Sequence, residues 1–275
     1  MPIFPHSRKA FILFFCFIFS LCAFGGKTDS VWVYSKAMQK PLPCTIVLPD
    51  AYKNGSDSFP VLYLLHGYGG WHSNWILRVP ELSKLADEFN TIIVCPEGGR
   101  NSWYFDSPLE PSSQYETFVG KEVPAFIDSA YRSRKSRMAR MISGLSMGGH
   151  GALFIALRHP ETFGVAGSMS GGLDLKESKG KYEIAEKIGD STQWNNYSVI
   201  SMINTEQASQ LKILIDCGVD DFFLQGNRAV HQKLVQLKVP HMYFEKEGGH
   251  SWDYWRRSIP YHLFFFRQQR MSIAR

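Results

Sequence analysis

Apolar residues in this chain fall into two kinds of run. Short unbroken runs, rich in β-branched residues, alternate with stretches in which apolar positions recur every three or four residues. Val61-Leu62-Tyr63-Leu64-Leu65 and Thr91-Ile92-Ile93-Val94-Cys95 are of the first kind, as strands buried on both faces should be. Between them Leu82, Leu85, Ala86 and Phe89 stand at i, i+3, i+4 and i+7, which makes one face of a helix over 81–89. The same reading places helices over about 114–131, 147–158 and 226–237, and a last one from Trp252 onward. Strands are expected over 138–143, 165–170, 211–216 and 241–245, with 31–34 and 44–48 as opening antiparallel strands. Repeated strand–helix units build a mostly parallel sheet with helices on both faces, an α/β fold. No repeat or linker interrupts the pattern, so residues 26–275 are expected to form one domain. The polar stretch 173–210 has weak periodicity and reads as an insertion of helical turns over the sheet edge.

The first residues break this pattern. Arg8 and Lys9 precede an apolar run from Phe11 to Phe24, and small residues surround its end at Ala23-Phe24-Gly25. A basic start, a short apolar run and a small-residue exit describe a secretory signal over 1–25. The run is about 14 residues, short of the roughly 20 that span a bilayer. The expected location is therefore secreted or periplasmic. A lipid anchor at Cys22 is the weaker alternative, because bulky Leu21 stands where such a site needs a small residue.

Composition narrows the class further. With 44% hydrophobic residues over 275 positions, the chain has the apolar mass for a large core, which excludes a disordered protein. The formal charge of +5 includes Arg8 and Lys9, so a processed chain carries only about +3, no footprint for nucleic acid. The basic cluster Arg132, Arg134, Lys135, Arg137 and Arg140 lacks interleaved aromatics and reads as a solvated turn. Cys44, Cys95 and Cys217 sit in apolar runs. They read as buried thiols, and being odd in number they allow one disulfide at most. No Cys-x-x-Cys or His-Glu-x-x-His motif supports a metal.

The strongest chemical signal is Gly144-Leu145-Ser146-Met147-Gly148, a Gly-x-Ser-x-Gly motif lying between a strand-like run and a helical one. In that context a serine is held at a sharp turn, with its hydroxyl clear of the sheet and at the positive end of a helix. A serine hydroxyl needs a base, and the base needs an orienting acid, in the chain order Ser, acid, His. The run 211–216 is followed by Asp220 and Asp221 in the turn beyond it, while Asp216 belongs to the strand itself. His250 follows the last strand in a glycine-rich loop. His159, His231 and His241 lie at a helix end, in a helix and at a strand start, and fit less well. Donors for an oxyanion are expected from the backbone N–H of Met147 and from that of Tyr68 in the loop Gly67-Tyr68-Gly69-Gly70. His66, at the end of a buried strand, reads as a brace for that loop. Aromatics crowd the expected mouth: Tyr68, Trp71, Trp75, Trp103, Tyr104, Phe222, Phe223, Trp252, Tyr254 and Trp255. Core packing should claim about half of them, and Trp71 and Trp103 are the candidate substrate contacts.

On these pieces the chain resembles the esterase D family of α/β-hydrolases. The matching segments are Leu64-Leu65-His66-Gly67-Tyr68-Gly69-Gly70 with Trp75, Val94-Cys95-Pro96, Ser102-Trp103-Tyr104-Phe105-Asp106, Gly144-Leu145-Ser146-Met147-Gly148-Gly149, Asp216-Cys217-Gly218 with Asp221, and Gly249-His250. The resemblance implies an α/β-hydrolase fold with no metal or organic cofactor. It also implies an acid at Asp221 rather than Asp220, giving the set Ser146, Asp221 and His250. The family includes acetyl and feruloyl esterases, short-chain esterases, S-formylglutathione hydrolases and mycolyltransferases. The expected function is that of a secreted serine carboxylesterase acting on acetyl or feruloyl esters of carbohydrates. S-formylglutathione hydrolysis is a cytosolic task, and neither glycine-rich loop carries a run of Lys or Arg to hold glutathione. A non-catalytic carbohydrate-binding protein on the same fold should have lost a member of the triad, and all three positions are filled.

Overall fold

The computed structural model describes residues 27–178 and 180–271. The expected export segment, 1–25, lies outside the described residues. Eight strands form one sheet: β1 (Lys27–Ser35), β2 (Lys40–Leu48), β3 (Val61–Leu65), β4 (Ile92–Pro96), β5 (Arg140–Gly144), β6 (Val165–Met169), β7 (Lys212–Gly218) and β8 (His241–Lys246). Their order is β1-β2-β4-β3-β5-β6-β7-β8. β1 and β2 pair antiparallel, β2 joins β4 antiparallel, and β3 to β8 run parallel. The opening strands are longer than the hydrophobic pattern predicts. They form a hairpin whose backbone pairing continues past the apolar residues, and Trp32 and Tyr34 remain exposed.

The helices divide between the two faces, as unbroken apolar strands require. One face carries α1 (Asn74–Arg78), α2 (Leu82–Phe89) and the long α6 (Trp252–Met271), packed around Leu62, Leu64, Ile93 and Met141. In α2 the expected stripe Leu82, Leu85, Ala86 and Phe89 is buried, each large side chain worth about 1.5–3 kcal/mol. Asn90 ends the helix in the left-handed conformation at φ 48°, where its short side chain is tolerated. The other face carries α3 (Val123–Ala130), α4 (Met147–Arg158) and α5 (Leu224–Gln236). The helix expected over 114–131 is there, but it opens with an α-turn, Tyr115–Thr117, and a π-helical turn, Phe118–Glu122. Hydropathy does not register the extra residue of such a turn. Strand β5 starts later than expected because Arg137–Ala139 form a 3₁₀ turn.

The segment 173–210 forms short helical turns, as expected, but it is not a polar covering. Leu173, Leu175, Ile184, Ile188, Trp194, Val199 and Ile203 bury themselves against the α4 face of the core. Cys44, Cys95 and Cys217 are buried free thiols, and burial pushes the Cys44 thiol up to about 12.

Candidate active site

Ser146 stands between β5 and α4 with φ 55° and ψ −118°. This is a strained conformation for a non-glycine residue, costing on the order of 1–3 kcal/mol. The surrounding glycines show what keeps it there. A Cβ on Gly144 would collide with the backbone of Gly148, and one on Gly148 with the carbonyls of Leu65 and His66. Strand and helix therefore meet more closely than any side chain allows, and the serine is turned out of the sheet at the N-terminus of α4.

The other groups reach Ser146 from the C-terminal ends of neighbouring strands. His250 Nε2 lies 2.8 Å from Ser146 Oγ. On the far side of the ring, Nδ1 donates to Asp221 Oδ2 at 2.9 Å and Oδ1 at 3.0 Å. Asp221 Oδ1 also accepts from the Phe223 N–H at 2.9 Å, which fixes the carboxylate plane. Backbone geometry separates the two adjacent aspartates. Asp221 is buried, whereas Asp220 is exposed and its N–H donates to Gly248 O at 3.1 Å. Any Cβ at Gly218 would collide with that same Gly248 carbonyl, so the loops carrying acid and histidine touch through glycine. Behind Asp221, burial and the carboxylates of Asp174 and Asp221 push Glu177 up to about 7, against the pull of the Gly226 N–H.

The loop after β3 stands beside the serine. Gly67 is the close neighbour, since a Cβ there would lie 3.4 Å from Ser146 Cβ. A tight turn, Gly70 N–H to Gly67 O at 3.0 Å, carries Tyr68 along the cavity wall. His66 Nε2 accepts from the Gly98 N–H at 2.9 Å, so its Nδ1 carries the proton and meets Gly67 O at 2.9 Å. That is the bracing geometry expected of it. His150, on the first turn of α4, is also buried, and burial lowers it to about 4. Its Nε2 donates to Tyr197 O at 2.9 Å, so it stays a neutral packing residue below the site.

These groups open into a cavity of about 580 Å³, whose walls include Tyr68, Trp71, Trp103, Leu145, Phe222 and Trp255. Trp75, Tyr104 and Tyr254, expected at the mouth, are instead core residues. The Trp75 indole donates to Leu65 O at 2.9 Å, and the Tyr104 hydroxyl to His66 O at 3.0 Å. The two candidate contact tryptophans differ. Trp71 is 47% exposed, whereas Trp103 is 1% exposed, its indole donating to Tyr182 O at 3.2 Å. Tyr182, Asn74 and Arg78 also line the cavity and were not singled out from sequence. Tyr182 lies in the aperiodic insertion, and Asn74 and Arg78 follow the glycine loop without a motif.

The Esterase family model matches residues 35–266, which span every group above. The chain belongs to that family. It is a serine hydrolase with the α/β-hydrolase fold. This esterase is 30% identical over 253 residues to the acetyl esterase of Caldicellulosiruptor saccharolyticus, covering 82% of this chain and 92% of that protein. It is 25% identical over 267 residues to the S-formylglutathione hydrolase of Mus musculus, covering 87% of this chain and 93% of that one. Among solved structures it resembles a ferulic acid esterase with a TM-score of 0.78 and 29% identity, over 90% of this chain and 100% of that one. Among the described residues, no group of three or more His, Cys, Asp or Glu is placed to hold a metal, and no helix is long and apolar enough to cross a membrane.

Proposed function

We propose that this esterase is exported after loss of residues 1–25, that residues 26–275 form its catalytic domain, and that it hydrolyses acetyl or feruloyl esters of carbohydrates. The observation that carries the reading is the unbroken chain Asp221–His250–Ser146, at 2.9 and 2.8 Å, opening into an aromatic cavity. Ser146 Oγ attacks the ester carbonyl while His250 Nε2 takes its proton. Asp221 holds the Nδ1–H tautomer and stabilises the imidazolium. The N–H groups of Tyr68 and Met147 receive the oxyanion, at the positive end of α4. His250 then returns the proton to the leaving alcohol, and the acyl-enzyme is opened by water through the same base.

The carbohydrate half of the proposal rests on the exposed indole of Trp71 at the mouth and on the likeness to acetyl and ferulic acid esterases. Sugar rings and phenolic acids both stack on such faces. Remote contacts of this kind raise the rate by positioning the ester. The test is a panel of acetylated and feruloylated xylo-oligosaccharides, aryl acetates and S-formylglutathione. The proposal expects the highest kcat/KM on the decorated oligosaccharides. A higher value on S-formylglutathione would replace the carbohydrate reading with the thioester one.

A further inference from the structure

Arg78 closes α1 and lines the same cavity as Ser146 and His250. It is the one Lys or Arg among the described lining residues, and no Asp or Glu stands among them. Among the described residues no carboxylate pairs with its charge. Other exposed arginines are engaged: Arg228 with Glu245 at 2.7 Å, Arg257 with Asp253 at 3.0 Å, and Arg256 with Glu81 at 2.5 Å. The last pair removes the acidic residue nearest to Arg78 along the chain. Among the described residues the Arg78 side chain has no hydrogen bond, ion pair or ring contact.

α1 places this residue at the cavity wall. Asn74 and Arg78 are four positions apart, so they share a face of α1, and Asn74 also lines the cavity. Asn74 Oδ1 accepts from the Trp71 N–H at 2.9 Å, which ties the start of α1 to the loop that carries Tyr68. Other walls are aromatic: Trp103, Tyr182, Phe222, Phe223 and Trp255. The Glu183 carboxylate at the rim is taken up by the Tyr68 hydroxyl at 2.9 Å and the Asn101 amide at 2.7 Å. A cation in a cleft with low-dielectric walls produces a focused positive field, and a planar guanidinium binds carboxylates through two parallel N–H donors. A cavity of about 580 Å³ has room for a ring or a short chain between Ser146 and such a group.

We propose that Arg78 selects esters that carry a carboxylate remote from the scissile bond, the carboxylate seating on its guanidinium while the ester carbonyl lies at Ser146. This rests on the reading of Ser146 and His250 as the reacting pair, and it makes Arg78 a specificity residue rather than a member of the proton relay. The carboxylate can stand on the acyl half, as in a half-ester of a dicarboxylic acid, or on the alcohol half, as in a uronate or an acidic phenol. The cation comes from the helix beyond the glycine-rich loop, where no motif marks it.

The experiment uses two matched pairs of substrates on the full domain. For the acyl half, the 4-nitrophenyl half-ester of adipic acid is compared with 4-nitrophenyl hexanoate. For the alcohol half, 3-carboxyphenyl acetate is compared with its methyl ester. The measured quantity is the acid-to-neutral ratio of kcat/KM in wild type, Arg78→Gln and Arg78→Lys. In at least one pair the ratio should fall about tenfold in Arg78→Gln, be largely kept in Arg78→Lys, and shrink in wild type at high salt. The pair that responds identifies the half that bears the carboxylate. Ratios equal in wild type and Arg78→Gln for both pairs overturn the proposal. A covalent fluorophosphonate label that persists in Ser146→Ala would instead overturn the underlying reading, and it is scored independently of the ratios.

Discussion

Among the described residues two Ser–His–Asp chains run through this molecule, and the one at Ser146 opens into a cavity. In the first, Ser146, His250 and Asp221 are linked at 2.8 and 2.9 Å. In the second, Ser143 Oγ meets His262 Nδ1 at 2.8 Å, and His262 Nε2 meets Asp216 Oδ1 at 2.8 Å. The serines come from β5 and the turn after it, the aspartates from β7 and the turn after it, and the histidines from α6 and the loop before it. Hydrogen-bond geometry alone does not separate the two chains; surroundings do. Ser143 is in regular strand, fully buried, beneath Gly167, where a Cβ would collide with the His262 ring. Buried in this way, Ser143 is out of reach of an ester. Asp216 is saturated: Tyr254 OH and Ser258 Oγ donate to Oδ2 at 2.8 and 2.7 Å, and Lys246 Nζ lies 3.4 Å away. Burial alone would raise its carboxyl, but the hydrogen bond and charge of His262, with Lys246 and Ser258, hold it below the ordinary carboxylate value. The inner chain ties α6 to the sheet. The outer one has a strained serine, a pocket and adjacent donors, and these additions are what make such a chain chemically useful.

The sharpest way to break this contrast is to remove each hydroxyl. Ser146→Ala should lower esterase turnover by a factor on the order of 10⁴ or more with the fold retained, because nothing else there can carry the acyl group. Ser143→Ala should leave turnover per folded molecule near wild type and cost stability by about 1–3 kcal/mol, the usual loss for one buried hydrogen-bonding partner. Turnover and thermal unfolding measured on both variants would distinguish them, and comparable catalytic losses would erase the distinction.

The acids follow. Asp221→Asn should reduce kcat by roughly 10⁴-fold, since an amide cannot hold the imidazole tautomer or its charge. Asp220→Asn, which alters an exposed carboxylate next door, should change it little. Steady-state kinetics on the two purified proteins decides the matter, and equal losses would reassign the acid.

Asp216→Asn should act on stability instead, by about 3–5 kcal/mol, because it leaves His262 and Lys246 facing a neutral group in the interior. The pH dependence has a definite sign. A carboxyl held lower in the folded chain than in the unfolded one stabilises above the unfolded value of about 3.9, and this contribution disappears as pH falls through the folded value. Acid unfolding followed by circular dichroism should therefore be shallower in Asp216→Asn than in wild type. Unchanged slopes would mean that the inner carboxylate carries no such linkage.

The two cavity tryptophans give the smallest separation. Trp103→Ala empties a buried site and should destabilise by roughly 3–5 kcal/mol. Trp71→Ala should spare stability and weaken turnover of oligosaccharide esters relative to aryl acetate by about 1–3 kcal/mol, a scale taken from ring stacking. If Trp71→Ala loses equally on large and small esters, the indole is a packing residue and not a platform.

What the amino-acid order settled by itself was whatever is encoded locally. Unbroken apolar runs marked β3 and β4, the spacing of Leu82, Leu85, Ala86 and Phe89 marked α2, and the glycines around Ser146 marked a turn that other residues would obstruct. The strand-to-helix context brought Ser146 and His250 forward as candidates before any contact was known. The tertiary structure decided whatever depends on distant segments meeting. Whether Asp220 or Asp221 faces the histidine turns on the Gly218–Gly248 contact. Whether Trp75 and Trp103 are walls or core turns on what packs beneath them. That Asp216 belongs to a second, sealed chain with Ser143 and His262 follows from the closure of β5, β7 and α6 upon one another, and that Arg78 lines the cavity follows from where α1 packs beside the glycine loop. Residues far apart in sequence leave no periodic or motif signal of meeting, because neither hydropathy nor spacing records which face of one strand comes to lie against which turn of another helix.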